Sequence, residues 1–127
     1  MSRLIKRKET VRENEKISFD EYQKEAFDLI SEDGRKDMVL NGVLGLAGES
    51  GECCDIVKKV RFQGHEMDRD HLIGELGDVL WYIAETASGL NVSLEEVARR
   101  NLDKLHKRYH GNHFNKEDSL HREKGDQ

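Results

Sequence analysis

The chain has 127 residues, of which 37% are charged and 6% aromatic, and it contains no proline. This length fits one small domain, and the composition argues against a β-sandwich and for exposed helices that no internal proline interrupts. The net charge of −5 argues against general nucleic-acid binding. Six basic residues lie within the first 17, however. We interpret them as a solvated terminus, with a nucleic-acid contact as the less favoured alternative.

The two cysteines, Cys53 and Cys54, are adjacent. Neighbours on a helix point in different directions, so we expect no disulfide, and the pair lacks the C-x-x-C spacing of a zinc or redox site. We interpret them as two small core-facing residues in a reducing cytosol. No stretch approaches the ~20 apolar residues of a membrane helix, and the start lacks the apolar run of a signal peptide. We therefore expect a cytoplasmic protein with no membrane partner.

Residues 1–17 have poor periodicity and predict an N-terminal arm. Ser18 opens a first helix, because Glu21 three residues later gives the capping-box pattern and apolar residues then recur at helical spacing. The run from Ser31 to Gly34 is predicted to end this helix.

A second helix is predicted from about Asp37 to Phe62, and it contains a glycine at every third position from Gly42 to Gly51. Each glycine weakens a helix by ~1 kcal/mol relative to alanine, so a glycine-rich loop is one interpretation. The other is a helix whose glycine face lets a second backbone or a ligand approach closely. We favour the helix, because apolar residues continue at helical spacing through the stretch.

A third helix begins at Asp68 or Asp70 and closes at the segment 89–91, and a fourth runs from the capping residue Ser93 to about Tyr109. Four helices with short connections predict an all-α four-helix bundle. We assign residues 18–110 to this helical domain. The polar segment 111–127 is expected to be a flexible C-terminal tail that is ordered only in part.

Two acidic pairs lie inside apolar stretches of successive predicted helices: Glu49 with Glu52, and Glu75 with Asp78. Residues three apart share a helix face, so antiparallel packing of the two helices would let the four acids converge. Such like charges repel unless they are protonated or bound to cations, and oxygen-only ligands favour Mg²⁺. A single acidic pair in so charged a chain is more simply explained by solvation, but two pairs at matched depth favour a metal site.

Other residues near the acids are less specific. Lys59 falls within ~80° of Glu49 and Glu52 on the helical wheel, and it could meet a phosphate or equally be a surface lysine. Tyr82 lies one turn beyond Asp78 on the same face, whereas Trp81 points elsewhere and is predicted to lie in the core or an interface. We interpret His71, one turn before Glu75, as solvated or as contacting a ligand residue. No Glu-x-x-His or phosphate-loop motif is present.

The stretches GLAGESGECCDIVKKV, FQGH and GELGDVLWYIA resemble the MazG family of all-α nucleotide pyrophosphohydrolases, whose signature is Glu-x-x-Glu followed by Glu-x-x-Asp. The resemblance covers residues 19–114. It reaches back to the Tyr22-Gln23 pair and continues into SLEEVARRNLDKLHKRY. One departure is His110, where the family often has proline.

The resemblance implies Mg²⁺-dependent hydrolysis of nucleoside triphosphates, most simply dNTPs, to a monophosphate and pyrophosphate, with Mn²⁺ as a substitute cation. The role implied is control or house-cleaning of the nucleotide pool by a homodimer or homotetramer. Glu49, Glu52, Glu75 and Asp78 would be the catalytic metal ligands. The candidate substrate contacts are Gln23, Lys59, Tyr82, Asn101, Lys104 and Arg108.

Three alternatives stay open. A related enzyme could act on a specialised nucleotide such as phosphoribosyl-ATP. A regulatory bundle could bind nucleotides without turnover, although all four acids are present. A purely structural helical module is a third interpretation, and the acids within apolar helices argue against it.

Overall fold

The computed structural model describes residues 15–126. Most of the predicted arm 1–17 and the last residue of the predicted tail lie outside the described residues. Within residues 15–126 the chain is helical and has no strand, which confirms the all-α prediction. The helices are α1 (Phe19–Asp28), α2 (Glu32–Lys36), α3 (Met38–Phe62), α4 (Arg69–Gly89), α5 (Leu94–Arg108) and α6 (Lys116–Leu120).

The four long helices begin where side chains cap them. The hydroxyl of Ser18 accepts from the backbone N–H of Glu21 at 3.1 Å, and Ser93 accepts from Glu96 at 3.0 Å. Asp37 and Asp68 cap α3 and α4 in the same way. Each cap satisfies a backbone donor that the first helical turn leaves free, so the predicted starts are those of the structure.

Two short helices were not predicted. Ser31 caps α2 where the sequence predicts only a terminating turn, and Asn115 caps α6 within the predicted tail. The tail is also tied to α5, because Arg108 donates to both carboxylate oxygens of Asp126 at 2.8 Å. Helices of five residues are too short to show apolar periodicity, which explains why the sequence pattern missed them.

The glycine-rich stretch is part of α3, so the helical interpretation is confirmed. Two of its glycines face α4. A Cβ at Gly42 would overlap the hydroxyl of Thr86, and a Cβ at Gly45 would overlap the ring of Tyr82. Gly48, by contrast, has open space around it. Close approach of α4 therefore accounts for Gly42 and Gly45.

Helices α3 and α4 form an antiparallel hairpin that is the main contact of the fold. Helix α1 packs across α4, and α5 packs on both α1 and α4. The buried core at their junction is small, and it consists of Ala26, Ala84 and Leu94 with Tyr22, Trp81 and Ile83 packed around it. The core position of Trp81 agrees with its prediction.

The contact between α3 and α4 is polar along much of its length. On α4 the contacting face carries Glu75, Asp78, Tyr82 and Glu85, which are spaced by three, four and three residues and so share one side of the helix. On α3 it carries Asn41, Gly42, Gly45 and Glu49. We call these eight residues the α3–α4 seam.

Glu85 lies at the end of the seam that is farthest from Glu75 and Asp78. Its side chain is 1% exposed, and Oε1 accepts from the side-chain amide of Asn41 at 2.7 Å. Its Oε2 is buried with no hydrogen-bond partner among the described residues. Burial of a carboxyl group with a single hydrogen-bond donor costs free energy, which the rest of the fold has to outweigh.

Candidate metal centre

Three carboxylates meet in the seam. Glu49 of α3 and Glu75 and Asp78 of α4 each offer an oxygen, and these oxygens lie within 4.8 Å of one another. Glu49 and Glu75 are partly buried, whereas Asp78 is exposed. The hairpin thus brings three of the four acids that the sequence predicts to converge to one point, and these three come from both helices.

The neighbouring acids raise the pKa of Glu49. The largest cause is a hydrogen bond with the carboxyl of Glu75, followed by partial burial and by the charges of Glu75, Asp78 and Glu52. A raised carboxyl pKa means that the site favours a proton on Glu49 when no cation is bound. The same cluster would favour a cation for the same electrostatic reason.

Glu52 stands apart from this group. Within the described part of the chain, the acids that converge are Glu49, Glu75 and Asp78, and Glu52 is exposed. Three residues of helix turn the chain by ~300°, so Glu52 is displaced by ~60° from Glu49 around α3. Its charge still reaches Glu49.

The donor set fits a hard divalent cation. All three converging donors are carboxylate oxygens, which are the ligands that Mg²⁺ prefers, and Mg²⁺ commonly completes its shell with water and substrate phosphates. The partial exposure of the cluster leaves room for both. The residues present therefore suit the magnesium ion that the sequence resemblance implies.

Two further side chains border Glu75. His71, on the same helix, places Nε2 3.2 Å from Glu75 Oε1, which agrees with the interpretation that it contacts a ligand residue. Cys53 of α3 is also near, because partial burial and then the charges of Glu75, Cys54 and Glu49 raise the pKa of its thiol. Cys53 and Cys54 are both free thiols. The prediction that both face the core is wrong for Cys54, which is exposed because it follows Cys53 around the helix.

Lys59 and Tyr82 lie on either side of the acids. Lys59 Nζ pairs with Asp55 at 2.7 Å, one turn back along α3, and this partner raises the lysine pKa. The charge of Glu52 adds to that rise, so Lys59 also lies near Glu52. The Tyr82 ring packs against Gly45 in the seam, one turn from Asp78, and meets Trp81 edge-on at 5.0 Å.

The side chain of Gln23 forms its hydrogen bonds around the turn between α4 and α5. Its side-chain amide donates to the Ser88 hydroxyl at 3.1 Å and to the Val92 carbonyl at 3.0 Å, and its oxygen accepts from Leu94 N–H at 2.7 Å. These three bonds join α1 to the turn between α4 and α5. The residue of α1 that lies nearer the acids is Tyr22, since burial and then the charge of Asp78 raise the pKa of its hydroxyl.

The remaining predicted substrate contacts are on α5. Asn101 is exposed, whereas Lys104 and Arg108 line a cavity of about 630 Å³ between α5 and the tail. Arg108 is only 9% exposed, because the bidentate pair with Asp126 holds it. Basic residues predominate around this cavity, and they come from both sides of it: Arg100, Lys104, Lys107 and Arg108 of α5, and Arg122 and Lys124 of the tail. The sequence did not indicate the cavity, because it forms only where the tail folds back on α5.

No helix in residues 15–126 is long and apolar enough to cross a membrane.

Comparison with known proteins gives a family match over more than half of the chain. The model of the MazG nucleotide pyrophosphohydrolase domain matches residues 40–113, a range that includes the three converging acids and all of α5. The Gene 37 protein of Mycobacterium phage L5 is 45% identical over 69 residues. That alignment covers 51% of this chain and 60% of the phage protein, so the chain spans less than two thirds of that relative. No solved structure matches significantly.

Proposed function

The chain belongs to the MazG nucleotide pyrophosphohydrolase family, and from this membership we propose that it hydrolyses nucleoside triphosphates, with dNTPs as the preferred class, to monophosphate and pyrophosphate. The observation that carries the proposal is the convergence of Glu49, Glu75 and Asp78 within the matched residues. The biological role we propose is control or house-cleaning of the nucleotide pool in the cytoplasm.

The roles that we propose for the acids and the cation follow from their charges. A triphosphate is strongly negative, so the three converging acids would repel it unless they hold Mg²⁺, with Mn²⁺ as a substitute. When bound, the cation would neutralise developing phosphate charge and lower the pKa of a water. Glu49, Glu75 and Asp78 would hold it, Glu52 at the edge of the cluster would complete the acidic set, and one of the glutamates would orient or deprotonate the attacking water.

Basic and polar residues of α1, α3, α4 and α5 supply the substrate contacts in this proposal. Lys59 lies two helical turns beyond Glu52 on α3 and can exchange its bond with Asp55 for a phosphate oxygen. Asn101, Lys104 and Arg108 contact phosphate or sugar from α5, and Tyr82 shapes the inner wall of the site. Gln23 contributes indirectly by holding α1 in place, because its side-chain amide is hydrogen-bonded to Ser88, Val92 and Leu94.

The bond that is cleaved tests the proposal directly. Purified protein with Mg²⁺ is incubated with a panel of canonical and modified dNTPs and NTPs, and the products are separated by chromatography. We expect monophosphate and pyrophosphate, with no turnover when the cation is chelated. Diphosphate with orthophosphate would contradict the bond assignment.

The same panel separates the two alternative functions. A specialised enzyme of the phosphoribosyl-ATP type would leave the dNTPs and NTPs intact and cleave phosphoribosyl-ATP when that compound is added. A regulatory bundle would bind nucleotides, as measured by calorimetry, and release no product from any of them.

We propose a homo-oligomer because the outer faces of the hairpin are apolar and exposed. Away from the seam, α3 exposes Leu40, Val43 and Leu44, and α4 exposes Ile73, Leu76 and Leu80. A small domain gains much of its burial from partners, and these faces suit a second copy of the hairpin. In such a dimer or tetramer, α5 of a neighbouring subunit can bring its basic residues to the acids.

Replacement of Leu44 by glutamate tests this interface. Leu44 is 64% exposed, so the substitution breaks no packing within one chain, and we expect light scattering to show an oligomer for the wild type and a 14.7 kDa monomer for Leu44→Glu. The matched control is Leu120→Glu in α6, where the leucine is 75% exposed and lies away from the hairpin. A wild-type monomer would contradict the oligomer.

A further inference from the structure

His71 is the polar side chain of α4 that contacts the cluster from outside. Its Nε2 lies 3.2 Å from Glu75 Oε1, one helical turn away. The imidazole is 55% exposed, whereas the Glu75 side chain is 16% exposed. His71 therefore lies between water and a partly buried carboxylate of the site.

Helix α4 itself fixes where the imidazole sits. Asp68 Oδ1 accepts from the His71 backbone N–H at 3.0 Å, so the cap of α4 orders the turn from which the side chain projects. Residues four apart on a helix face each other, and this places the ring over Glu75. The group of converging ligand atoms in residues 15–126 consists of carboxylate oxygens, so His71 contacts a ligand without being one of them.

The Glu75 side chain has three rotatable bonds. When all three acids are ionised, the charges of Glu49 and Asp78 repel it from the position in which they converge. A hydrogen-bond donor on one oxygen of Glu75 restricts this rotation. Donors of this kind behind metal ligands commonly change metal affinity by about 10- to 100-fold when they are removed.

We propose that His71 is a positioning residue for the metal site: its Nε2–H donates to Glu75 Oε1 and holds this carboxylate in the geometry that binds the cation. The inference rests on the proposed function, because it presupposes that Glu49, Glu75 and Asp78 bind a divalent cation. It assigns His71 no contact with the substrate.

Titration calorimetry with Mn²⁺ alone, without nucleotide, tests the proposal. We expect His71→Ala to weaken Mn²⁺ binding by about 10- to 100-fold. His71→Gln, whose side-chain N–H can also donate to a glutamate four residues on, should recover part of the loss. The matched control is His106→Ala, an exposed histidine on α5, and it should bind Mn²⁺ like the wild type.

Two further measurements distinguish positioning from a general structural effect. In the metal-free wild type, nitrogen-15 spectra of the imidazole should show the proton on Nε2. In steady-state assays, His71→Ala should need more Mn²⁺ for half-maximal rate, while kcat and the nucleotide KM at saturating Mn²⁺ stay within about twofold of wild type. The melting temperature of the metal-free variant should match that of His106→Ala.

The outcomes distinguish the role of His71 from the proposed function. If the wild type binds Mn²⁺ and His71→Ala binds it equally well, His71 has no positioning role and the proposed function stands. If the wild type binds no Mn²⁺, both the metal site and the role of His71 are wrong. A kcat that stays low at saturating Mn²⁺ would also contradict pure positioning.

Discussion

Asp78→Asn should reduce kcat by about 10²- to 10³-fold, because metal-assisted charge stabilisation is worth several kcal/mol and each ~1.4 kcal/mol is a factor of ten. The amide keeps the size of the carboxylate but removes the negative charge that the cluster uses to hold a cation. The effect is measured as the Mg²⁺-dependent rate of pyrophosphate release from the best dNTP of the substrate panel. Glu49→Gln should behave in the same way, because Glu49 is the only one of the three converging acids on α3.

Activity should fall in these variants while the fold is kept. The three acids bring like charges within 4.8 Å of one another, so removal of one charge should leave helicity unchanged and the melting temperature unchanged or slightly higher. The control is Asp103→Asn on α5, which makes the same chemical change away from the cluster. Full activity of either Asp78→Asn or Glu49→Gln would show that the site is assigned wrongly.

Gly45→Ala should destabilise the fold and lower activity together. The new Cβ would overlap the Tyr82 ring, and overpacking of this kind costs about 1–3 kcal/mol, against a gain of at most ~1 kcal/mol in helix propensity. Displacement of the ring would separate α3 from α4 one turn from Glu49, so the acids would also separate. Gly45→Val should be worse than Gly45→Ala, and thermal or urea unfolding measures both.

Gly48→Ala is the matched control on the same helix. No atom lies within 4 Å of a Cβ at Gly48, so the helix-propensity gain should appear with no packing cost, and stability should rise by up to ~1 kcal/mol. The changes in the free energy of unfolding caused by Gly45→Ala and Gly48→Ala are thus expected to have opposite signs. If Gly45→Ala is as stable as Gly48→Ala, the close approach of Tyr82 to α3 is wrong.

The helices and their starts could be predicted because their signals are local. Ser18 and Ser93 lie three residues before the backbone N–H groups that they cap, and apolar residues recur along each long helix. The same local spacing indicated that Glu75 and Asp78 share a face. Recognition of the family needed only the order of the motifs along the chain, and the domain match at residues 40–113 confirms it.

Pairings between distant residues could not be predicted in this way. Asn41 and Glu85 are 44 residues apart, and nothing in the sequence near either of them indicates the other. The use of the Gln23 amide at the α4–α5 turn is a contact of the same kind, as is the bond between Arg108 and Asp126. Sequence spacing gives no signal for such contacts, because they depend on how complete helices meet.

Capping and periodicity act within a few residues, so the amino-acid sequence alone predicts that the chain is helical, where its long helices begin and which acids share a helix face. How far each helix is rotated toward its neighbour is known only from the folded structure. That rotation brings Glu49 to Glu75 and Asp78, leaves Glu52 at the edge, and places Gly45 against Tyr82. The physical reason is that helix periodicity fixes angles within one helix, whereas packing of side chains between helices fixes the angle from one helix to the next.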